Sequence, residues 1–287
     1  MTLEVFSDLS ERLNYNRPDL PLYVRKGSLR LFDRYAAAYH WHPDVEFILI
    51  LDGDMEYFVN GQTVRLETGE GIFVNSKRLH YGFSSTQTDC TFLVVAIHPL
   101  LLGESTLAGK TYLEQKFGSL TDNFLLLQPR TLWQREILDS IRQLYEEVYA
   151  GGENLFRWMS QATHLCACVA EHLKQTPEQE ADEHAWMIIR AMTRHIHSNY
   201  EEKISIDEIA AAGSVCRSKC CSLFKKHLGQ TPNNYLIQYR IQKSCEMLKE
   251  SDRSVGEIAM ACGFQTASYF SMVFRKHMGF SPQHFRR

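Results

Sequence analysis

The sequence predicts an α+β protein of two domains, in which a β-rich N-terminal domain precedes an all-α C-terminal domain. Three observations support this fold class. Short apolar runs separated by turn residues fill residues 20–97, and two amphipathic helical stretches follow over 131–173. An internal repeat then occupies residues 204–282, and the length of 287 residues accommodates two domains of ordinary size.

Charge is distributed unevenly along the chain. Residues 1–183 contain 16 Lys and Arg against 26 Asp and Glu, a net charge of −10, whereas residues 184–287 contain 15 against 8, a net charge of +7. A basic domain joined to an acidic one suggests that one domain meets a polyanion such as nucleic acid and the other does not; chance segregation of solvated charge is the alternative. The apolar content of 44% excludes a disordered chain.

Membrane and export signals are not visible in the sequence. No apolar run approaches the ~18 residues that a membrane-spanning helix needs, and Met1–Arg12 has no basic start followed by an apolar run. The 8 cysteines lack the spacing of a disulfide framework. We therefore expect a cytoplasmic protein with reduced thiols, no cofactor and no membrane partner.

The strands of the N-terminal domain are predicted from short apolar runs bounded by turn residues. One of these turns, Asn60-Gly61, is typical of a type I′ hairpin. Many short strands at this spacing predict a sandwich or barrel with its own core. The predicted strands are Leu29–Ala36, Val45–Leu51, Met55–Val59, Thr63–Leu66, Gly71–Asn75, Leu79–Phe83 and Thr91–Ile97.

The chain changes character after the strands. Residues 100–130 predict loop and short helix, whereas residues 131–173 predict two amphipathic helices joined at Gly151-Gly152. The apolar stripe of this helical hairpin either packs on its own domain or pairs with a second copy of the chain. Because the second alternative would form a homodimer, the hairpin is the expected dimerisation element. Residues 174–183, KQTPEQEADE, have no apolar period and predict a linker.

The predicted C-terminal domain, residues 184–287, contains two copies of one unit. ISIDEIAAAGSVCRSKCCSLFKKHLGQTP at 204–232 aligns with SVGEIAMACGFQTASYFSMVFRKHMGFSP at 254–282, and the offset changes from 49 to 50 inside the turn. Each copy predicts a short helix with a Ser-x-x-Glu capping box, a tight turn and a second helix that ends at Gly. Two helix-turn-helix units are therefore predicted, over about 205–229 and 254–279.

This C-terminal third resembles the DNA-binding domain of AraC/XylS-type transcription regulators. The resemblance rests on IDEIA, SLFKKHLGQTPNNYLIQYRI, EIAMACGF and SYFSMVFRKHMGFSPQHFR, in that order along the chain. It implies a domain whose two recognition helices dock in successive major-groove segments on one face of the DNA. It also implies a bacterial cytoplasmic regulator that most often activates transcription.

Helical periodicity divides each recognition helix into a core face and an outward face. The outward lysines suit DNA phosphates, which position a protein without reading sequence. The second copy lacks a long basic or amide side chain to read bases, so it is expected to contribute shape and methyl contacts. The predicted DNA contacts are Arg217, Ser218, Lys219, Cys221, Ser222, Lys225 and Lys226 in the first copy, and Ala267, Ser268, Tyr269, Ser271, Met272 and Arg275 in the second.

A histidine-rich segment lies in the N-terminal domain, predicted over 1–130. His40, His42 and Glu46 follow the spacing H-x-H-x3-E-x6-G, which ends at Gly53, and His80 returns after a Gly-bounded strand. Residues two apart on an extended strand face the same side, so these side chains are expected to converge. Three imidazoles and one carboxylate suit a divalent metal ion.

The histidine spacing resembles the metal motif of cupin barrels, although NSKRL at 75–79 replaces the usual Pro-x-Gly before the last histidine. The resemblance implies either a metalloenzyme or a sensory cupin whose barrel mouth binds a ligand. Beside a DNA-binding domain, the sensory alternative is favoured. The predicted effector-binding residues are His40, His42, Glu46 and His80; a metal site and buried structural histidines are the alternatives for the same residues.

We therefore predict a ligand-responsive, sequence-specific DNA-binding transcription regulator that is not an enzyme. Its expected partners are double-stranded promoter DNA, RNA polymerase, a second copy of the chain and a small-molecule effector. A sugar from a carbohydrate-utilisation operon is one such effector. The alternative from another class is a cupin metalloenzyme with an appended basic domain, and metal analysis together with DNA binding discriminates the two.

Overall fold

The chain divides into an N-terminal unit, Met1–Glu183, and a C-terminal unit, His184–Arg287. The structure is a computed structural model that describes residues 3–6, 8–150, 154–175 and 179–286. The predicted fold class is confirmed, because the N-terminal unit is β-rich and the C-terminal unit is helical. None of the helices in these ranges combines the length and the apolar character needed to cross a bilayer.

The described residues of the N-terminal unit form ten strands, most of them close to their predicted positions. Asn60 and Gly61 both have positive φ, 44° and 90°, which confirms the predicted type I′ hairpin turn. The strands are β1 (Glu4–Val5), β2 (Glu11–Arg12), β3 (Leu22–Ser28), β4 (Val45–Asp52), β5 (Asp54–Val59), β6 (Gln62–Glu67), β7 (Gly71–Val74), β8 (His80–Phe83), β9 (Thr91–Ile97) and β10 (Phe124–Leu127).

Two antiparallel sheets form the body of this unit. The larger has strand order β10-β7-β4-β9-β3 and the smaller has order β6-β5-β8. Their facing sides share one core, in which Ile48, Ile50 and Ile72 of the larger sheet pack with Met55 and Tyr57 of the smaller. The two sheets of the described residues remain separate, so of the two predicted architectures, sandwich or barrel, the structure shows the sandwich.

Two sequence predictions in this unit are wrong. Leu29–Ala36 is not a strand; it forms two turns of 3-10 helix, and Arg34 and Tyr35 have positive φ. The strand in this part of the chain is β3, which pairs with β9 over its whole length. Residues 100–130 contain the expected short helix α1 (Leu107–Phe117) but also β10, whose apolar run FLLL is too short to distinguish strand from helix.

The predicted helical hairpin corresponds to α2 (Leu132–Tyr149) and α3 (Leu155–Ala170). Its apolar stripe, which includes Ile141 and Val169, packs on the outer face of the larger sheet in one core with Phe47 and Val95. Of the two alternatives for this stripe, the structure shows packing on its own domain. The predicted turn at Gly151-Gly152 lies outside the described residues.

Helix α4 (Gln179–Asn199) begins inside the segment predicted as a linker over 174–183. That prediction rested on polarity and on the lack of an apolar period, and neither property separates a linker from the first turn of a helix. The middle of the segment, residues 176–178, lies outside the described residues.

The C-terminal unit is built from α4 and six further helices. Buried Phe270, Val273 and Phe274 pack with Ile241 and Ile258 in the core of the second repeat. The long helix α7 connects the two repeats. The helices are α5 (Ile206–Ala212), α6 (Arg217–Leu228), α7 (Pro232–Glu250), α8 (Val255–Ala261), α9 (Ala267–Met278) and α10 (Pro282–Phe285).

Candidate functional site

The predicted histidine cluster is assembled between the two sheets. His80 begins β8 and Glu46 lies on β4, whereas His40 and His42 lie on the irregular segment before β4. Reciprocal backbone hydrogen bonds join His40 and His80, and the Lys77 amide donates to the carbonyl of His42. The four predicted side chains are all buried, and each offers a ligand atom within 4.8 Å of the others.

Each imidazole of the cluster is oriented by a backbone carbonyl two residues away. Nδ1 of His40 donates to Ala38 over 2.8 Å, and Nδ1 of His80 donates to Arg78 over 2.7 Å. Nδ1 of His42 donates to the carbonyl of Asp44 over 3.1 Å. Because a carbonyl only accepts, Nδ1 carries the proton, and the lone pair of each neutral ring is on Nε2.

The Nε2 atoms face carboxylates. Nε2 of His42 and Nε2 of His80 each lie 3.4 Å from a different oxygen of Glu46. At that distance neither nitrogen makes a hydrogen bond to any described residue. The Tyr57 hydroxyl donates to Glu46 over 2.5 Å and fixes the carboxylate in place. The result is a buried polar centre made of three imidazoles and one carboxylate.

Burial and mutual charge shift the pKa values of this centre in opposite directions. Burial, reinforced by His80 and His42, lowers the pKa of His40 to about 3. Burial would also lower the pKa of His42, but Glu46, Asp44 and Glu11 outweigh it and raise the pKa to about 9. Burial would raise the pKa of Glu46, yet the facing imidazoles hold it well below its usual value. The cluster therefore keeps Glu46 ionised and favours a positive charge opposite it.

The N-terminal segment contributes a residue that sequence reasoning missed. Oε2 of Glu11, on β2, lies 3.4 Å from Nε2 of His40, and the carboxyl is almost fully buried. Trp41 holds this segment in place, because its backbone amide donates to Leu9 and its indole nitrogen donates to Asp8. Burial raises the pKa of Glu11 to about 8. A lone Glu in a polar segment gave no signal for this position.

Two spaces that share lining residues adjoin the cluster. A cavity of about 40 Å³ lies between the sheets, lined by His40, Glu46, Tyr57 and mostly apolar neighbours. An open cleft of about 310 Å³ shares Glu11 and Tyr23 with that cavity. The cavity has room for ions or a few water molecules, whereas the cleft reaches the lower size limit of small-molecule sites.

The first recognition helix, α6, presents its predicted face to solvent. Cys220, Leu223 and Phe224 are buried, and the predicted DNA contacts of α6 are exposed apart from half-buried Cys221. Nη1 of Arg217 lies 3.8 Å from Asp207, which leaves most of the guanidinium exposed. The helix begins at Cys216, whose side chain makes no capping hydrogen bond.

The second recognition helix, α9, has the same division of faces. Phe270, Val273 and Phe274 are buried, and the predicted contacts are exposed apart from half-buried Ser271. Tyr269 and Met272 are large exposed side chains on the outward face. Both repeats therefore carry a stable helix with an exposed face, as a protein that enters DNA grooves requires.

Comparison with protein families assigns both units. Residues 209–287 match the family described as a helix-turn-helix domain, and residues 34–96 match the family described as a cupin domain. The first match contains both repeats from α5 onward, and the second contains the whole histidine cluster.

Relatives match most of the chain. An uncharacterized helix-turn-helix-type transcriptional regulator, YdeC of Bacillus subtilis, is 27% identical and aligns with 98% of this chain and 96% of its own. The melibiose operon regulatory protein of Escherichia coli is 25% identical over 86% of this chain and 83% of its own. The transcriptional activator RhaS of Pectobacterium carotovorum is 24% identical over 86% of each chain.

Proposed function

The chain is a transcription regulator of the AraC type with an N-terminal cupin domain, and from this premise we propose that a small molecule bound by the N-terminal unit switches its action at promoters. The observation that carries the proposal is the pairing of two exposed recognition helices with a second unit that encloses a polar cluster and a cleft. We assign it no catalytic activity, in line with its regulator relatives.

We further propose that the regulator activates transcription, through contact with RNA polymerase, in the cytoplasm. Support for activation comes from the similarity to RhaS, which is a transcriptional activator. A sugar effector and a carbohydrate-utilisation operon are supported by the similarity to the melibiose operon regulatory protein. The effector site that we propose consists of His40, His42, Glu46 and His80 with the adjoining spaces.

The division of labour that we propose follows the predicted boundaries, with sensing in residues 1–130, dimerisation through 131–173 and DNA binding in 184–287. The apolar stripe of α2 and α3 is buried against the larger sheet of the N-terminal unit. We therefore place the homodimer contact on the outward faces of these helices. Exposed Leu132 and Phe156, 67% and 86% accessible, support this surface. Sedimentation of the wild type and of Phe156→Asp tests it, and the variant is expected to be monomeric.

The DNA-binding part of the proposal is tested by anisotropy titrations with DNA from upstream of the neighbouring genes. With ~6 phosphate contacts, the slope of log affinity against log salt is expected near −5, because bound cations release counterions. A flat salt response would contradict DNA binding by the C-terminal unit.

The effector part is tested with Glu46→Gln, which keeps the shape of the side chain and removes its charge. This variant is expected to lose the effect of ligand on DNA affinity while the affinity of the free protein stays nearly intact, because a ligand acts only through differential affinity for two states. A normal ligand response in a destabilised variant would favour structural histidines.

A second candidate role for the same four residues is metal binding, which cupin folds imply. The residues fit a divalent first-row ion, since three imidazoles offer Nε2 lone pairs beside one carboxylate. The 3.4 Å spacing between the Glu46 oxygens and two Nε2 atoms also matches the ligand–ligand distance expected for bonds of ~2.1 Å. A bound ion would supply Lewis acidity and an anchor for an oxygen-donor ligand.

Metal binding is tested by titrating Co²⁺ into the full chain and following its visible absorption. Glu46→Gln is expected to weaken binding at least ~tenfold. The matched control is His164→Ala, because Nε2 of exposed His164 lies 3.6 Å from Sγ of Cys168, and an imidazole this close to a thiol would be able to capture Co²⁺ at the surface. Binding that disappears in the control, or survives in Glu46→Gln, would contradict the metal role.

A further inference from the structure

The open cleft beside the histidine cluster carries an unusual charge for its domain. Residues 1–183 have a net charge of −10, yet the cleft is lined by three cations, Arg12, Arg25 and Lys26, with Asn14 between them in the chain. Cations that line one concave surface repel each other, and their charges add to a positive potential in the cleft. An incoming anion would lower that repulsion and be attracted by the potential.

These cations are not neutralised by neighbouring carboxylates. Other cations of the N-terminal unit pair with acids, as Arg30 does with Asp89 and Arg157 with Glu147. Throughout the part of the chain that the structure describes, no carboxylate lies within ion-pair distance of Arg12, Arg25 or Lys26. The one acid in the cleft lining, Glu11, has its carboxyl beside Nε2 of His40.

Arg25 is held in position for recognition. Its Nη1 donates to the hydroxyl of Tyr149 on α2 over 2.8 Å, and its guanidinium lies 5.7 Å from the centre of the Tyr23 ring. The Tyr149 hydroxyl in turn donates to the carbonyl of Val24. A fixed guanidinium with N–H groups left over suits a carboxylate or a phosphate, which accepts two parallel hydrogen bonds.

We propose that the small molecule bound by the N-terminal unit carries an acidic group, a carboxylate or a phosphate, which binds in the cleft between Arg12, Arg25 and Lys26. This inference rests on the proposed effector function and narrows its chemistry to small organic anions, such as sugar acids or sugar phosphates. The cleft of about 310 Å³ holds the acidic end. The uncharged part points toward Glu11 and Tyr23, which the cleft shares with the cavity at the cluster.

The test compares three related probes on the full chain by calorimetric titration at matched ionic strength: D-glucose, D-glucuronate and glucose 6-phosphate. At least one acidic probe is expected to bind roughly tenfold or more tightly than glucose, since hydrogen bonds to charged groups give that discrimination. The two acids separate a carboxylate from a phosphate preference. Glucose binding as tightly as both acids, or no binding of either acid, overturns the inference.

Variants locate the anion. Arg25→Gln and Lys26→Gln are each expected to weaken the acidic probe roughly tenfold and leave glucose unchanged. Lys26 is exposed, so its replacement keeps the test valid if Arg25→Gln fails to fold. The matched control, Arg130→Gln, removes an exposed arginine of the same unit outside the cleft and is expected to change nothing.

Equal anion binding by the lysine variant and the control overturns the inference, because it places the anion elsewhere. Failure of the inference is distinguishable from failure of the proposed function. If glucose alters DNA affinity while the acids do not, the regulator function stands and the anion site falls. If the chain shows no salt-dependent DNA binding, the proposed function falls whatever the cleft binds.

Discussion

The two helix-turn-helix repeats have the same order of helices and turns but differ in the residues at matched positions. Both first helices begin with a complete capping box, Ser205 with Glu208 and Ser254 with Glu257. In the turns, Ser214 has a φ of 53° where the second repeat has Gly263 at 75°. A side chain at Gly263 would place Cβ 2.4 Å from the carbonyl oxygen of Tyr200, so only glycine fits there.

The difference continues on the recognition helices. An offset of 50 aligns Arg217 with Ala267 and Lys219 with Tyr269 in the N-terminal halves, whereas Lys225 aligns with Arg275 in the C-terminal halves. The N-terminal half of a recognition helix contacts base edges. We therefore expect both repeats to contact phosphates through the C-terminal halves of these helices, and the first repeat to read base identity more strongly through Arg217.

The largest expected effect concerns the shared cores. Phe224 and Phe274 occupy matched positions and are fully buried. Each change to Ala is expected to lower the free energy of unfolding by ~3–5 kcal/mol, through lost burial and an unfilled cavity. Hydrogen exchange of the C-terminal amides by mass spectrometry measures the loss in each repeat separately. Met260→Ala, at a 61% exposed position of the same unit, is the control and is expected to change little.

A loss below ~1 kcal/mol in one repeat but not in the other would break the equivalence of the two cores. It would show that one repeat tolerates an empty site by rearranging its helices.

The next effect concerns base reading. Arg217→Ala is expected to weaken binding to the preferred DNA by ~1–3 kcal/mol and to relax the base preference at one position, because a bidentate arginine contact is lost. Selection of bound sequences from a random DNA pool gives the preference before and after the change. Arg253→Ala, which removes an exposed arginine outside both recognition helices, is the control and is expected to leave the preference intact. An unchanged profile for Arg217→Ala would reverse the roles assigned to the repeats.

The DNA-binding unit was largely predictable because its signals are local. Capping residues, C-terminal glycines and helical periodicity place Leu223 and Phe274 on the core face without knowledge of the rest of the fold. The start of α4 inside the predicted linker is the exception. Its first five residues, QEADE, include a single apolar residue, Ala181, and that composition does not separate a linker from the start of a helix.

The N-terminal site was predictable only where one motif contains its residues. The spacing of His40, His42 and Glu46 identified most of the cluster. Glu11 and Arg25 come from distant segments, and their proximity depends on how β2 and β3 lie in the folded unit, which no local pattern reports. Tyr57 had a usable signal, since Met55, Tyr57 and Val59 alternate on the inward face of β5.

A smaller effect concerns how the recognition helices begin. The Thr266 hydroxyl accepts a hydrogen bond from the Tyr269 amide over 3.1 Å, whereas Cys216 caps nothing. Thr266→Ala is therefore expected to cost about 1 kcal/mol of stability, and Cys216→Ala close to none. Cys216→Thr is expected to recover part of the difference in the first repeat. Thermal unfolding of the full chain measures all three, and equal losses in the two alanine variants would contradict the assigned asymmetry.

The smallest expected effect concerns the phosphate-facing cations, where the repeats are alike. Lys225→Ala and Arg275→Ala each remove one exposed cation from the last turns of a recognition helix. Each is expected to weaken binding uniformly across DNA sequences and to reduce the salt slope by about 1, because one fewer counterion is released. Anisotropy titrations over a salt series measure the slope for each single variant and for the double variant. The slope of the double variant is expected to fall by about 2, because phosphate contacts on separate helices act independently. If one variant alters the base preference instead of the salt slope, that cation contacts a base edge and not a phosphate. The two repeats would then differ in base recognition in the C-terminal halves of their recognition helices as well.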